Sequence, residues 1–137
     1  MAREPIWVPR VVVDAIHFDQ LRAHGGLSGL RDDNLLESAL ARSRQRWTYD
    51  PTTDLPALAA AYGYGLCQNH PFRDGNKRVA FVTMAVFLAL NGWELDAPES
   101  EVVTAMLTLA DGKSKEADLA VWVRSRSARI TRSKKRT

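Results

Sequence analysis

Apolar residues recur along this chain at helical spacing, while the apolar/polar alternation of strands is nearly missing, confined to Ile6-Trp7-Val8 and Val11-Val12-Val13. The pattern predicts an all-α protein. A first helix is expected over about Val11 to Ala23, stopping at the pair Gly25-Gly26. Asp32-Asp33-Asn34, with Glu37 three residues after Asn34, reads as a capping box for a second helix running to about Gln45. Trp47 to Asp54 is rich in turn formers and aromatics and reads as an exposed loop or short flap. Asp54 can cap a third helix, whose Leu55, Leu58, Ala59, Tyr62 and Leu66 share one face. Pro71 pushes His70 out of the α region, so this helix should end there.

The longest apolar run, Val79 to Leu90, is interrupted only by Thr83. At about a dozen residues it falls short of the roughly 20 that cross a bilayer, so it reads as a buried central helix starting near Asn76 and closing at Asn91-Gly92. Asp96 with Glu99 suggests a further capping box for a helix to Asp111-Gly112, and Ser114 can open a last one through Val123. About six helices around a buried central one is the expected bundle, with a chemically loaded loop at the central helix's N-terminus. No repeat or long linker divides it.

Composition changes little except at the C-terminus. The chain of 137 residues suits one domain, and 45% hydrophobic with 26% charged residues is ordinary for a globular protein. Its net charge of +3 hides an asymmetry. Arg124, Arg126, Arg129, Arg132, Lys134, Lys135 and Arg136 hold seven of the nineteen basic residues, leaving 12 basic against 16 acidic in 1–123. The division expected is therefore a mildly acidic folded domain, 1–123, and a flexible basic tail, 124–137. Nucleic-acid contact is expected only through that tail, whose plainer reading is a solvated terminus. Cys67 alone cannot form an intramolecular disulfide, and Met1 to Arg10 lacks an apolar h-region, so cytoplasmic residence without a membrane partner is the expectation.

The chemistry concentrates in His70-Pro71-Phe72-Arg73-Asp74-Gly75-Asn76-Lys77-Arg78. If a helix begins near Asn76, the turn Asp74-Gly75-Asn76-Lys77 presents unpaired N–H groups and a positive dipole end, which makes an anion site. Gly75 admits a phosphate close to the backbone, and Lys77 and Arg78 add full charges. Asp74 would repel that phosphate unless a divalent cation lay between them, which suggests Mg²⁺. His70 has the chemistry to take a proton from an attacking hydroxyl. Each residue has a structural alternative: His70 hydrogen-bonded in the core, Phe72 a plug, Asp74 a cap, Lys77 and Arg78 a solvated face. Their proximity favours function.

These residues closely resemble the motif of the Fic/Doc superfamily, in detail that of death-on-curing (Doc) toxins of toxin–antitoxin pairs. Gly25 to Asp32 and Leu35 to Arg42 look like the family's amino-terminal half, and the resemblance covers about Val11 to Val123. Members that transfer AMP carry H-P-F-x-x-G-N-G-R-x-x-R, whereas here Lys77 replaces the second glycine and Phe81 the final arginine. Bulk and charge at the phosphates, and loss of a bidentate clamp, argue against AMP transfer. The Doc pattern implies ATP and Mg²⁺ as cofactors, with the γ-phosphate moved to a threonine of elongation factor Tu, arresting translation. On that resemblance His70 is the general base and Asp74 the metal ligand. Asp74, Gly75, Asn76, Lys77 and Arg78 bind the cofactor phosphates.

Many Fic proteins inhibit themselves through S/T-x-x-x-E-G/N, and no glutamate here precedes glycine or asparagine. The resemblance thus implies an antitoxin acting in trans. AMP transfer to a protein hydroxyl is the enzymatic alternative, and a nucleic-acid-binding or RNA-cleaving toxin the alternative of another class. H-E-x-x-H, Walker and protein-kinase motifs are missing, and Gly63-Tyr64-Gly65 reads as helix packing.

Overall fold

Pro9 presets the backbone for a helix, and α1 follows it over Arg10–His24, ending at Gly25 in a positive-φ conformation (φ 77°). The computed structural model describes residues 3–131. Val11 to Val13 belong to α1, and Ile6 to Val8 form no strand; the N-terminal segment is held instead by Val8 N–H donating to Tyr62 Oη at 3.0 Å.

α2 spans Asp33–Tyr49, and its cap is Asp32, whose side chain accepts from Leu35 N–H at 3.0 Å. The box expected from Asn34 and Glu37 does not form, because Glu37 is drawn into an ion pair with Arg10. The helix also runs through Trp47 to Tyr49, where a flap was expected: Trp47 packs edge-on against Trp7, ring centroids 6.2 Å apart, and that contact favours another helical turn. The loop shrinks to Asp50–Asp54.

α3, Leu55–Asn69, is capped by Asp54, which accepts from Ala57 N–H at 3.0 Å. Residues 56–63 and 65–67 are all buried, and α3 packs against α2, α4, α5 and α6. Such an all-round apolar helix needs thin sides. Gly63 and Gly65 supply them: a Cβ on Gly63 would sit 2.5 Å from Met84 Sδ, and one on Gly65 3.2 Å from the Ala39 carbonyl oxygen. The expected packing role for these glycines is what the fold uses.

α4, Asn76–Leu90, is the expected central apolar helix; Val79, Ala80, Thr83, Met84, Phe87 and Leu88 are buried. β1 (Trp93–Leu95) then pairs antiparallel with β2 (Ser127–Arg129), Glu94 opposite Ala128. Between them lie α5, Glu99–Ala110, and α6, Glu116–Ser125. Asp96 does not cap α5. Its N–H extends the β1–β2 pairing by donating to the Arg126 carbonyl at 2.9 Å, and Pro98 precedes the helix instead. α6 opens at Lys115, whose N–H donates to Asp118 Oδ2, one residue beyond the expected Ser114.

The described residues are thus all-α apart from this two-stranded sheet, as the hydrophobic pattern predicts. The stretch read as a basic tail begins inside α6. Arg124 makes a two-point ion pair with Asp54, holding that carboxyl below its usual range, and Arg126 pairs with Glu101. Arg132, Lys134, Lys135 and Arg136 lie outside the described residues. Among the described residues no helix is long and apolar enough to cross a membrane.

Candidate active site

The loop between α3 and α4 turns on His70, the residue that ends α3 in the left-handed conformation, φ 52° and ψ 52°. Pro71 keeps His70 out of the right-handed α region and α3 stops there as expected, though Pro71 alone does not select the left-handed conformation. Left-handed backbone costs a β-carbon-bearing residue on the order of 1–2 kcal/mol, so something must hold it. Arg31 does. Its guanidinium donates to the His70 carbonyl (Nε, 2.8 Å) and the Asn69 carbonyl (2.9 Å), while the Arg31 and Asp32 N–H groups donate to the Pro71 carbonyl at 2.7 and 3.1 Å.

Inside the loop, Asn76 replaces missing main-chain pairing. Its Oδ1 accepts from Phe72 N–H at 3.0 Å and its Nδ2 donates to the Phe72 carbonyl at 2.9 Å, which fixes the amide's orientation. The second Nδ2 hydrogen is then directed to His70 Nδ1, 3.1 Å away. An amide nitrogen only donates, so Nδ1 accepts and the resting neutral ring carries its proton on Nε2. For Nε2 to receive a proton, the ring's own must first move to Nδ1, and because that would set two N–H groups face to face, the exposed imidazole must turn away from Asn76 as it does so. His70 is exposed, whereas Asn76 and Phe72 are buried.

Asp74 closes the other side of the loop. Its Oδ2 accepts from Leu27 N–H at 3.2 Å and its Oδ1 from Gly75 N–H at 2.9 Å; these two donors hold its carboxyl below the usual range. The carboxylate lies so close to Gly26 that a Cβ there would be 2.8 Å from Oδ2. Gly75, at φ 81°, starts α4 with no side chain capping the helix.

A sequence model of the Fic/DOC family matches residues 7–88, from the N-terminal segment through this loop and most of α4. The chain belongs to the Fic/DOC family. It is similar to the protein named Protein kinase doc of Escherichia phage P1, 35% identical over 86 residues, which is 62% of this chain and 68% of that protein. It is 40% identical over 76 residues to Toxin Doc of Mycolicibacterium smegmatis, covering 55% of this chain and 58% of that one. Among solved structures, the N-terminal Fic domain of a cell filamentation protein from Bartonella quintana, crystallised with ADP, superposes with a TM-score of 0.49 at 17% identity. It covers 70% of this chain and 49% of that one.

In this Fic/DOC chain, the two cations of the motif lie just beyond the loop. Lys77 is exposed and Arg78 half-buried, one Arg78 guanidinium nitrogen 3.4 Å from the Gly25 carbonyl oxygen. Both edge a cleft of about 590 Å³ between α1, α4 and α5, with Phe81, Val82, Val102 and Met106 among its apolar walls. Phe81 is half-buried there, its ring tilted toward Trp122, so this part of the cleft wall is apolar.

The sequence-predicted residues therefore fall into two groups. His70, Asp74, Gly75 and Asn76 form one bonded loop, while Lys77 and Arg78 line the neighbouring cleft. Asn76, expected among the phosphate binders, spends its side chain bracing the loop and His70. Arg31 and His17 bear no mark in the sequence: an arginine after a glycine-rich turn and a histidine in an amphipathic helix carry no local signal of their long-range bonds. Arg31→Met, keeping the aliphatic stem, should cost about 1 kcal/mol of stability in this exposed setting and lower any His70-dependent rate by up to about fivefold. Denaturant unfolding with a parallel rate assay checks this; a variant unchanged in both would mean that Arg31 does not hold His70.

Proposed function

We propose that this protein is the toxin of a toxin–antitoxin pair that moves the γ-phosphate of ATP onto a protein hydroxyl, with a threonine of elongation factor Tu as acceptor. The observation that carries this reading is Lys77, on the first turn of α4 at the mouth of the cleft, where AMP-transferring relatives have glycine. A cation there neutralises the phosphate on the leaving side of a γ-transfer, and it obstructs the close backbone approach that α-phosphate chemistry requires. Similarity to proteins named Protein kinase doc and Toxin Doc supports the same choice.

His70 takes the proton of the threonine hydroxyl as that oxygen forms its bond to the γ-phosphorus. The bond to the bridging β,γ-oxygen breaks, and its electron pair leaves with ADP. The uncapped first turn of α4, with Gly75, Lys77 and Arg78, binds and neutralises the phosphates; the apolar cleft takes the base. Asp74 fits a role as Mg²⁺ ligand: each carboxylate oxygen accepts one N–H and keeps a lone pair, and its lowered pKa keeps it ionised. Among the described residues no cluster of three or more His, Cys, Asp or Glu side chains could hold a metal, so Mg²⁺ would share one carboxylate with phosphate oxygens and water. When bound it supplies charge neutralisation on those oxygens. Inhibition comes in trans from an antitoxin covering this site.

The test is to incubate the protein with Mg²⁺, purified elongation factor Tu, and ATP labelled at either the α- or the γ-phosphate. Label from γ alone on threonine is the expected result. Label from α would replace the reading by AMP transfer, and RNA loss without protein label would replace it by a nuclease.

A further inference from the structure

We propose that His17, on α1 and outside the motif, is a positioning residue for the Asp74–Gly75 peptide, and through it for the anion turn at the start of α4. His17 is buried, 8% exposed, directly beneath the loop. Its ring stacks on Phe72, centroids 3.9 Å apart and planes 16° apart, and its Nε2 lies 3.1 Å from the Asp74 carbonyl oxygen. A carbonyl can only accept, so His17 carries a proton on Nε2 and donates it. The ring also comes within reach of Gly75, where a Cβ would be 3.8 Å from His17 Cδ2. One side chain on a neighbouring helix thus contacts the loop at Phe72 and Asp74 and leaves no more than van der Waals room beside Gly75.

In a trans peptide the C=O and the following N–H point in opposite directions. By drawing the Asp74 carbonyl down toward α1, His17 turns the Gly75 N–H up, to the side where it now meets Asp74 Oδ1 at 2.9 Å. That N–H belongs to the turn that a phosphate would approach, and Oδ1 is one of the two oxygens able to share a cation with it. The hydrogen bond from His17 therefore sets both the donor direction and the carboxylate position. Simple core filling would need the ring but not the donor: burial and stacking are satisfied equally by phenylalanine, whereas the 3.1 Å contact to the Asp74 carbonyl is not.

The inference about rate rests on the proposed phosphoryl transfer; the inference about geometry does not, and the test separates them. His17→Phe keeps the stack and removes the donor, while His17→Gln keeps a donor of similar reach and removes the aromatic face. Three readouts are taken: the ¹⁵N resonances of the His17 ring in the wild type, the Gly75 amide resonance in each variant, and kcat and KM for ATP in the labelled transfer assay.

The expected results are the Nε2–H tautomer in the wild type and a displaced Gly75 amide in His17→Phe. Loss of one such hydrogen bond predicts about a tenfold fall in kcat/KM, and His17→Gln should recover most of it. A wild-type Gly75 resonance and rate in His17→Phe, or a His17 ring protonated on Nδ1 alone, would overturn the proposal. So would a His17→Gln variant as impaired as His17→Phe, because packing alone would then explain His17. Should the wild type transfer nothing from ATP, the proposed function fails, and the tautomer and Gly75 resonance still decide the role of His17. If His17→Phe does not fold, the wild-type tautomer and the Gly75 resonance of His17→Gln decide it.

Discussion

Replacing His70 with alanine should lower phosphoryl transfer roughly 10²–10⁴-fold, the span usual for a lost general base, while the protein stays folded. The two halves of that expectation rest on different observations. His70 is exposed and is not part of the buried core, so its removal opens no cavity. Alanine inherits the same left-handed backbone, and the bonds that hold it there, from Arg31 to the Asn69 and His70 carbonyls, do not involve the imidazole. Asn76 loses one partner but keeps both of its bonds to Phe72. The stability change should therefore be about 1 kcal/mol, the worth of one part-buried hydrogen bond. The rate loss has no comparable substitute: no other imidazole bonds into the loop except His17, whose Nε2 is engaged with the Asp74 carbonyl. Thermal unfolding and single-turnover transfer, measured on the same preparation, check both halves. A folded His70→Ala protein of full activity would remove the base assignment. An unfolded one would show that the imidazole is structural.

The parts of this fold legible in the sequence are those with local causes. α1 and α4 lie within a residue of where apolar spacing and flanking glycines put them, and the loop between α3 and α4 was marked by its residues alone. Signals failed where a distant partner decides. Asn34 and Glu37 look like a capping box, but Arg10, more than twenty residues away, competes for Glu37. Asp96 looks like a cap and instead continues a strand pairing whose second strand, beyond α5 and α6, begins at Ser127. Strands of three residues each are shorter than the alternation needed to announce a strand. The site divides in the same way. The motif names the groups that could meet phosphate, yet the residues that orient them, Arg31 and His17, come from α1 and the loop after it, and only the fold brings them to His70 and Asp74.

Phe87→Ala should be the most destabilising of these substitutions, costing about 3–5 kcal/mol, the range for deleting a buried aromatic side chain. Phe87 is fully buried in α4, stacked on Trp7 with centroids 5.9 Å apart and tilted against Tyr62 at 5.2 Å. Those neighbours belong to the N-terminal segment and to α3, so one ring joins three parts of the chain. The space it leaves closes poorly. Tyr62 is held by the hydrogen bond from Val8 N–H, and α3 is pressed on its other sides by α2 and α6. Against a total stability of some 5–15 kcal/mol, a loss of this size brings the protein near its unfolding midpoint at modest temperature or denaturant. Phe87→Leu, which refills most of the volume, should cost less than about 1.5 kcal/mol and distinguishes a cavity from a loss of hydrophobicity. Denaturant titrations of both variants give the comparison, and a Phe87→Ala loss below about 1 kcal/mol would show that Trp7 and Tyr62 collapse into the gap. The active-site loop should not share in this effect. Asn76 and Phe87 lie eleven residues apart on α4, roughly 16 Å along the helix at 1.5 Å per residue. The bonds that set His70 and Asp74 all lie at the helix's far end, so the molecules of Phe87→Ala that remain folded should transfer phosphate at the wild-type rate. Loss of rate without loss of folded protein would mean instead that α4 moves as a rigid rod when its base is loosened.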